Sequence, residues 1–588
     1  MCGIAGMMTV PGGAPPKPVL KRLKQALGHR GPDGTGDYLA GGVGLIQTRL
    51  AIIDLETGDQ PLVSDDGYAL VANGEIYNYL ELREELRGER FRTQSDCEPP
   101  LHLYRRRGTG FTERLRGMYA LAIHDPVRKH LVIARDPFGI KPLYYTETEA
   151  GFSFASEPQA LIAAGLVKAE LNQGAATALL QLQFTTGRET AFKGIHRVLP
   201  GEVLVVEAGV VVERRQKVAL PPGGPVTDLT EEEAFAGLEQ AFAESVAFHQ
   251  RSDVPYGMFL SGGIDSSALA AMMARLNDRP VKAYTCVFQG AKVADESVAA
   301  AAVAKAVGAD HQTVPFSDAD FWSLLPKVTT AVDDPVADYA ALPTYRLAQA
   351  ARADELKVVL TGEGGDELLA GYGRYRKALR SPLLGGKPMR SKGIMDGFGV
   401  FKEDPTAWRR GIQWAEKAEK RPGRSPLQVN QAIDMADWLP HDLLIKLDRC
   451  LMANGVEGRV PFIDPQFARF AYSLPDNFKL RDDKGKWLLR KWLSSALPAA
   501  DAFADKQGFT VPVGTWIGGR GTELGPLVAE NAGVQALCKA DSVISLFKKA
   551  GDNKAGKAAW TLLFFALWHR RHIEGVKIKG DAFQALAG

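Results

Sequence analysis

At 588 residues the chain is too long for a single small module, and between two and four domains are expected at roughly 150 residues each. Its composition, 45% hydrophobic and 24% charged, carries enough apolar surface to offset chain ordering and excludes wholesale disorder. With 71 basic and 69 acidic residues the net charge is +2, so no field of one sign argues for nucleic acid or an anionic membrane as partner.

In chain order, the opening MCGIAGMMTV lacks the basic flank and unbroken apolar stretch of a secretory signal. Over residues 1–210 glycine- and proline-rich loops alternate with short β-type runs, such as MYALAIH (118–124) and HLVIA (130–134) joined across Asp125-Pro126. This half reads as a sheet-rich domain. Residues 211–230 lose periodicity and collect Pro and Gly, which predicts a linker. A second domain, 231–588, opens on a capping box at Thr230 and Glu233, followed by Phe235, Leu238 and Phe242 at helical spacing. Apolar strands are predicted at 255–260, 281–288, 312–315 and 357–360, with helices at 266–276 and 297–307 between them. Continuous apolar strands alternating with helices predict a parallel sheet covered on both faces. Beyond Pro405 the pattern is mainly helical. The apolar run 560–568 is about half of the ~20 residues that span a bilayer, so no membrane helix is expected. Five cysteines at irregular spacing give neither a disulfide framework nor metal-ligand pairs, and a reducing cytoplasm is the expected setting.

After the predicted strand 255–260 comes SGGIDSS (261–267). Gly262 and Gly263 permit close backbone approach, Ser261 and Ser266 offer hydroxyls, and the following helix N-terminus favours an anion. This predicts a phosphate cradle. No GxxxxGK[ST] occurs, which disfavours a P-loop kinase or GTPase. Asp265 within an anion loop implies Mg²⁺ between carboxylate and phosphate. A second loop, TGEGGDE (361–367), follows the strand 357–360, and ligands gather at the carboxyl ends of parallel strands. Asp366 is expected to complete the metal site with Asp265, and Glu363 to act as base or position an acceptor. At the other end, Cys2 becomes the first residue once Met1 is trimmed, and its own α-amine can then take the thiol proton.

MCGIAG, HRGPDG (29–34), RLAIID (49–54), NGEIYN (73–78), SDCE (95–98) and RDPFGIKPLYY (135–145) follow the order found in class II glutamine amidotransferases. SGGIDSS resembles the loop of ATP pyrophosphatases, which cleave ATP between the α- and β-phosphates. With TGEGGDE and VEGRVPFID (456–464), the resemblance extends over most of the chain to the glutamine-hydrolysing asparagine synthetase family. It implies an N-terminal Ntn-type sandwich of antiparallel sheets flanked by helices, then a doubly wound parallel-sheet domain with a helical C-terminal part. It also implies glutamine binding by Arg49, Leu50, Ala51, Ile52, Ile53, Asn73, Gly74, Glu75 and Asp96. Arg49 offers a fork to the α-carboxylate and Asp96 an anion to the α-ammonium, while Asn73 and the Gly74 N–H can donate to the oxyanion. For ATP it adds Leu260, Cys286, Thr361 and Gly362, and for pyrophosphate Lys486. The substrates implied are glutamine, aspartate and ATP with Mg²⁺, in an AMP-forming ligase that passes ammonia between domains and forms a homodimer. Position 97 is Cys where the family commonly has Ser or Thr, and DKQGFTVP (505–512) differs from the branch most firmly tied to free aspartate. Another acceptor carboxylate, such as a sugar acid or peptide, stays open at this point. A catalytically silent nucleotide-binding scaffold is the alternative of another class, and the intact Cys2, Arg49, Asn73, Asp96, Asp265 and Glu363 argue against it.

Overall fold

The computed structural model describes the chain except residues 1, 14–16, 227, 290–295, 381–385, 406 and 505–510. In the first domain its strands are β1 (Cys2–Thr9), β2 (Gly34–Ala40), β3 (Val43–Arg49), β4 (Leu62–Val63), β5 (Ala69–Ile76), β6 (Gly117–Asp125), β7 (His130–Arg135), β8 (Tyr144–Thr148), β9 (Gly151–Ala155), β10 (His196–Arg197), β11 (Glu202–Glu207) and β12 (Val210–Gln216). They form two antiparallel sheets, ordered β10-β8-β9-β1-β3-β2 and β12-β11-β7-β6-β5-β4. The sheets face each other through Ile4, Leu45 and Phe154 on one side and Val71, Ala122, Ile133 and Leu204 on the other. The outer face of the first sheet buries Ala5, Met7 and Ile46 in one cluster with Leu20 and Leu23 of the helix Lys17–Ala26. That of the second buries Leu70, Leu121 and Ile123 with Leu101 and Tyr104 of the helix Pro99–Arg107. Central strands buried on both faces explain why runs such as MYALAIH are apolar throughout, each large side chain contributing roughly 1.5–3 kcal/mol.

The stretch expected as linker begins differently. Residues 211–216 continue β12, which pairs antiparallel with β11. Val210 and Val212 of this edge strand are exposed, and its ERRQ end is polar, so it lacks the apolar signature of a buried strand.

The capping box at Thr230 and Glu233 opens the helix Glu231–His249. Beyond it, β13 (Tyr256–Phe259), β14 (Lys282–Phe288), β15 (Asp310–Phe316), β16 (Val358–Leu360) and β17 (Glu457–Arg459) form a wholly parallel sheet ordered β15-β14-β13-β16-β17. The winding reverses between β13 and β16, the position at which doubly wound sheets open a ligand crevice. SGGIDSS and TGEGGDE leave these two neighbouring strands. The C-terminal part is helical, and the apolar run 560–568 lies within the buried helix Asn553–His572. Among the described residues no helix is long and apolar enough to cross a membrane.

Candidate active sites

Cys2 begins β1 and stands opposite Arg49 in the β1–β3 register. Its backbone nitrogen donates to Asn73 Oδ1 at 3.0 Å, which leaves the buried Asn73 Nδ2 without a partner. An amide donor held this way beside a nucleophile is free to meet an oxyanion. Asn73, Gly74 and Glu75 lie on β5 against β6, and a Cβ at Gly74 would come within 2.0 Å of the Met118 carbonyl oxygen, so only glycine fits. Burial pushes the Cys2 thiol up, against a hydrogen bond from the Leu50 backbone and the charge of Arg49. Arg49 is itself buried, and it donates to the exposed Asp59 carboxylate at 2.8 Å and to the carbonyls of Ile53 and Asp54. Leu50, Ala51, Ile52 and Ile53 are all buried; the Ala51 N–H is held by Asp33 at 2.9 Å and the Ile52 carbonyl by Asp253 at 3.0 Å.

Asp96 accepts from the Ile76 N–H at 2.7 Å, and burial raises its carboxyl to about 6. Glu75 is driven higher, by burial first and then by Glu457 and Asp96. Cys97, the departure in SDCE, is buried with its Sγ 3.6 Å from Asp96 Oδ2.

In the second domain, Ser261 and Ser266 join their hydroxyls at 3.0 Å, and the Gly263 N–H donates to Ser261 Oγ at 3.3 Å. Gly263 also caps the helix Ile264–Leu276 without any side chain, leaving that N-terminus open to an anion. The glycines of the second loop make room: a Cβ at Gly365 would lie 2.6 Å from the Asp265 carboxyl, and one at Gly362 3.0 Å from Asp265 Cβ. Lys486, buried and in a left-handed conformation at the head of the helix Trp487–Ala496, places Nζ 2.5 Å from Asp265 and 2.7 Å from Asp366. Burial opposes its charge, but the two carboxylates outweigh this and hold its pKa above the ordinary value. A cavity of about 500 Å³ is lined by Leu260, Ser261, Gly263, Asp265, Ser266, Cys286, Thr361, Gly362, Glu363, Asp366 and Lys486. Gly262 turns the loop with φ +72 and is not part of that lining.

Hard oxygen donors beside an anion cradle suit Mg²⁺. Among the described residues, however, no group of three or more His, Cys, Asp or Glu could hold a metal ion. Asp265 and Asp366 therefore fit a cation that arrives with phosphate oxygens and shares their carboxylates with Lys486.

Other residues of the two sites carried no signal of their own in the sequence. Arg459, inside VEGRVPFID, approaches Glu75 at 3.4 Å with its guanidinium, while its carbonyl accepts from Thr361 N–H at 2.9 Å. One residue thus touches both sites. Arg30 of HRGPDG donates to the Cys2 carbonyl at 3.2 Å and grips Asp448 of the second domain through two bonds of 2.8 and 3.0 Å. Asp338, Trp438, Asp442 and Lys446 add to the second cavity, as does Gln183 from the segment that precedes the linker. The first six residues of DKQGFTVP lie outside the described residues.

Two family models match the chain. A glutamine amidotransferase domain model matches residues 1–216 and an asparagine synthase model matches residues 237–570. A Mycobacterium tuberculosis protein provisionally named asparagine synthetase (glutamine-hydrolyzing) is 34% identical over 98% of each chain. Asparagine synthetase (glutamine-hydrolyzing) 1 of Bacillus subtilis is 32% identical over 98% of this chain and 97% of its own. Amidase chyE of Penicillium rubens is 30% identical over 88% of this chain and 90% of its own. With the antiparallel sandwich and the parallel sheet each spanned by its own family model, the chain belongs to the glutamine-hydrolysing asparagine synthetase family of carbon–nitrogen ligases.

Proposed function

We propose that the chain makes asparagine from aspartate, with glutamine as nitrogen donor and ATP as activator. The observation that carries this reading is the convergence of SGGIDSS and TGEGGDE, from neighbouring strands at the sheet reversal, on the Asp265–Lys486–Asp366 cluster. After removal of Met1, the Cys2 thiol gives its proton to its own α-amine and attacks the glutamine carboxamide. Asn73 Nδ2 and the Gly74 N–H receive the oxyanion, and Arg49 and Asp96 hold the two charges of the amino acid; the α-ammonium of Cys2 returns its proton to the amide nitrogen, ammonia leaves as the intermediate collapses to a thioester, and water hydrolyses the thioester to glutamate and the free thiol.

In the second cavity an oxygen of the aspartate side-chain carboxylate attacks the α-phosphorus of ATP, and pyrophosphate leaves. Lys486 and the N–H groups at 261–265 take up charge on the departing phosphates, and Mg²⁺ bound through Asp265 and Asp366 would neutralise the remainder. Ammonia attacks the acyl carbon, AMP departs with the carboxylate oxygen that had attacked phosphorus, and Glu363, in the cavity lining, accepts a proton from the incoming nitrogen. Ammonia must travel between the sites unprotonated, through the region bridged by Glu75 and Arg459. The 30% identity to an amidase over most of its length favours, as a second reading, an acceptor carboxylate other than free aspartate.

An acceptor screen with ATP and ammonia, scored by pyrophosphate release, separates the two. Aspartate labelled with ¹⁸O in its side-chain carboxylate should pass one label to AMP. Formation of ADP, or accumulation of asparagine with unlabelled AMP, would refute adenylation.

A further inference from the structure

Between the predicted helices of the C-terminal part the backbone departs from α-helical geometry. Residues Asp434–Leu443 form a π-helix, with Pro440 inside it, that runs directly into the α-helix Leu444–Met452. π-helical turns are rare and recur at functional sites, and proline has no N–H to give to the ladder. Here the wide segment turns residues four apart toward one place. Trp438 and Asp442, with Lys446 on the following helix, line the cavity that holds both glycine loops.

Asp442 is 1% exposed, and neither of its carboxylate oxygens has a hydrogen-bond partner. In the same wall the Trp438 indole N–H is buried and equally unpartnered. The charged groups around Asp442 do not satisfy it. Lys446 gives its ammonium to Asp338 at 2.8 Å, while Arg374 and Arg390 each meet Asp434 at 2.6 Å. Burial, and then Asp338, push the Asp442 carboxyl well above its ordinary range. A buried acid in the wall of a cavity with no donor is costly, and a ligand that brings N–H groups relieves the cost.

We infer that Asp442 is the binding site for the ammonium group of the acceptor, so that this cavity selects carboxylic acids that carry a primary amine. The inference rests on the reading that a carboxylate is adenylated in this cavity, and it names which carboxylates qualify. The phosphate end is already assigned to Asp265, Lys486 and Asp366, leaving Asp442, Trp438 and Glu363 for the acceptor. Trp438, edge-on to Phe184 with ring centroids 5.3 Å apart and covered by the Arg390 guanidinium at 4.5 Å, gives that end a rigid wall.

The test uses the full-length enzyme with ATP, ammonia and pyrophosphate release as readout. For the wild type, 3-aminopropanoate keeps the ammonium and the reacting carboxylate and should compete with aspartate, whereas succinate lacks the ammonium and should not. Asp442→Asn should raise the aspartate KM by about 100-fold, the scale of a lost charge-assisted bond in a buried site. The ATP KM should stay within about twofold, which also reports on folding, and the preference for aspartate over succinate should collapse. Should the variant fail to fold, the wild-type competition decides alone. Equal inhibition by succinate and 3-aminopropanoate, or an Asp442→Asn enzyme with unchanged aspartate KM and preference, overturns the inference while leaving asparagine synthesis in place. A wild type that ignores aspartate but turns over another amine-bearing acid, with Asp442→Asn raising the KM for that acid, overturns the proposed product and upholds the role of Asp442. Turnover of an acid with no amine overturns both.

Discussion

Around Cys2 the buried carboxylates Glu75 and Asp96 meet too little positive charge, whereas in the second cavity Asp265 and Asp366 share the ammonium of Lys486. Arg459 reaches Glu75 only at 3.4 Å and is drawn closer to Glu457, at 2.7 Å. Asp96 relies on the Ile76 N–H and its neighbour Cys97. A deficit of cations is what a site needs if its ligand brings an ammonium, as glutamine does. A site whose ligand brings phosphates needs a cation in place beforehand, because two carboxylates alone would repel it. The left-handed backbone at Lys486 and the glycines packed against Asp265 maintain that arrangement.

The comparison breaks most sharply at the nucleophile. Cys2→Ala should lower glutaminase activity by about 10⁴-fold or more, with ammonia-dependent synthesis kept within about threefold. Glutamate release that survives the change would remove Cys2 from its role. In the other domain, Asp265→Asn should lower synthesis by about 10³-fold with either nitrogen source, because the phosphate end serves both. A defect confined to glutamine-driven turnover would show that Asp265 belongs to communication between the sites.

The two predictions concern residues singled out in the sequence for different reasons: Cys2 by the ordered motifs that follow it as far as residue 145, Asp265 by its immediate surroundings. A strand followed by Gly-Gly, hydroxyls and an acid predicts a phosphate loop, and an acid directly after Gly364-Gly365, behind a second strand, predicts its partner. The alternation of apolar strands and helices likewise carried the parallel sheet. Arg459 and Asp442 escaped because their meaning lies in distant neighbours: Arg459 faces Glu75 across the domain boundary, and Asp442 is notable only for the donors it lacks. The π-helix was hidden because its apolar spacing reads as an ordinary helix, and β12 because an exposed edge strand is polar.

A smaller effect is expected at the oxyanion donor. Asn73→Ala should cut the glutaminase kcat by about 10²–10³-fold, the usual loss for one such donor, with KM for glutamine little changed. The same variant should leave ammonia-dependent synthesis alone, since Asn73 stands only at the Cys2 pocket. If KM rose and kcat held, Asn73 would be a binding group and the oxyanion would fall to Gly74 and another donor.

The gentlest test titrates the cation deficit itself. Asp96 has a carboxyl raised to about 6 in the folded protein, against an ordinary 3.8. Only its ionised form attracts the ammonium of glutamine, so kcat/KM for glutamine should fall as pH drops through about 6, approaching tenfold per pH unit. Near pH 7 most molecules are ionised, and the effect there is slight. Stability should move the opposite way: between the ordinary value and 6 the folded chain holds more protons than the unfolded one, so the free energy of unfolding declines as pH rises across that window. Asp96→Asn should therefore flatten the acid limb of kcat/KM, raise KM for glutamine at neutral pH, and yet melt at a higher temperature than the parent at pH 7. The coupling of weaker binding to greater stability is the signature of an acid kept short of partners for a ligand's sake. A variant that lost both binding and stability would instead make Asp96 a structural anchor for the turn after β5, and the contrast between the two sites would then rest on Glu75 alone.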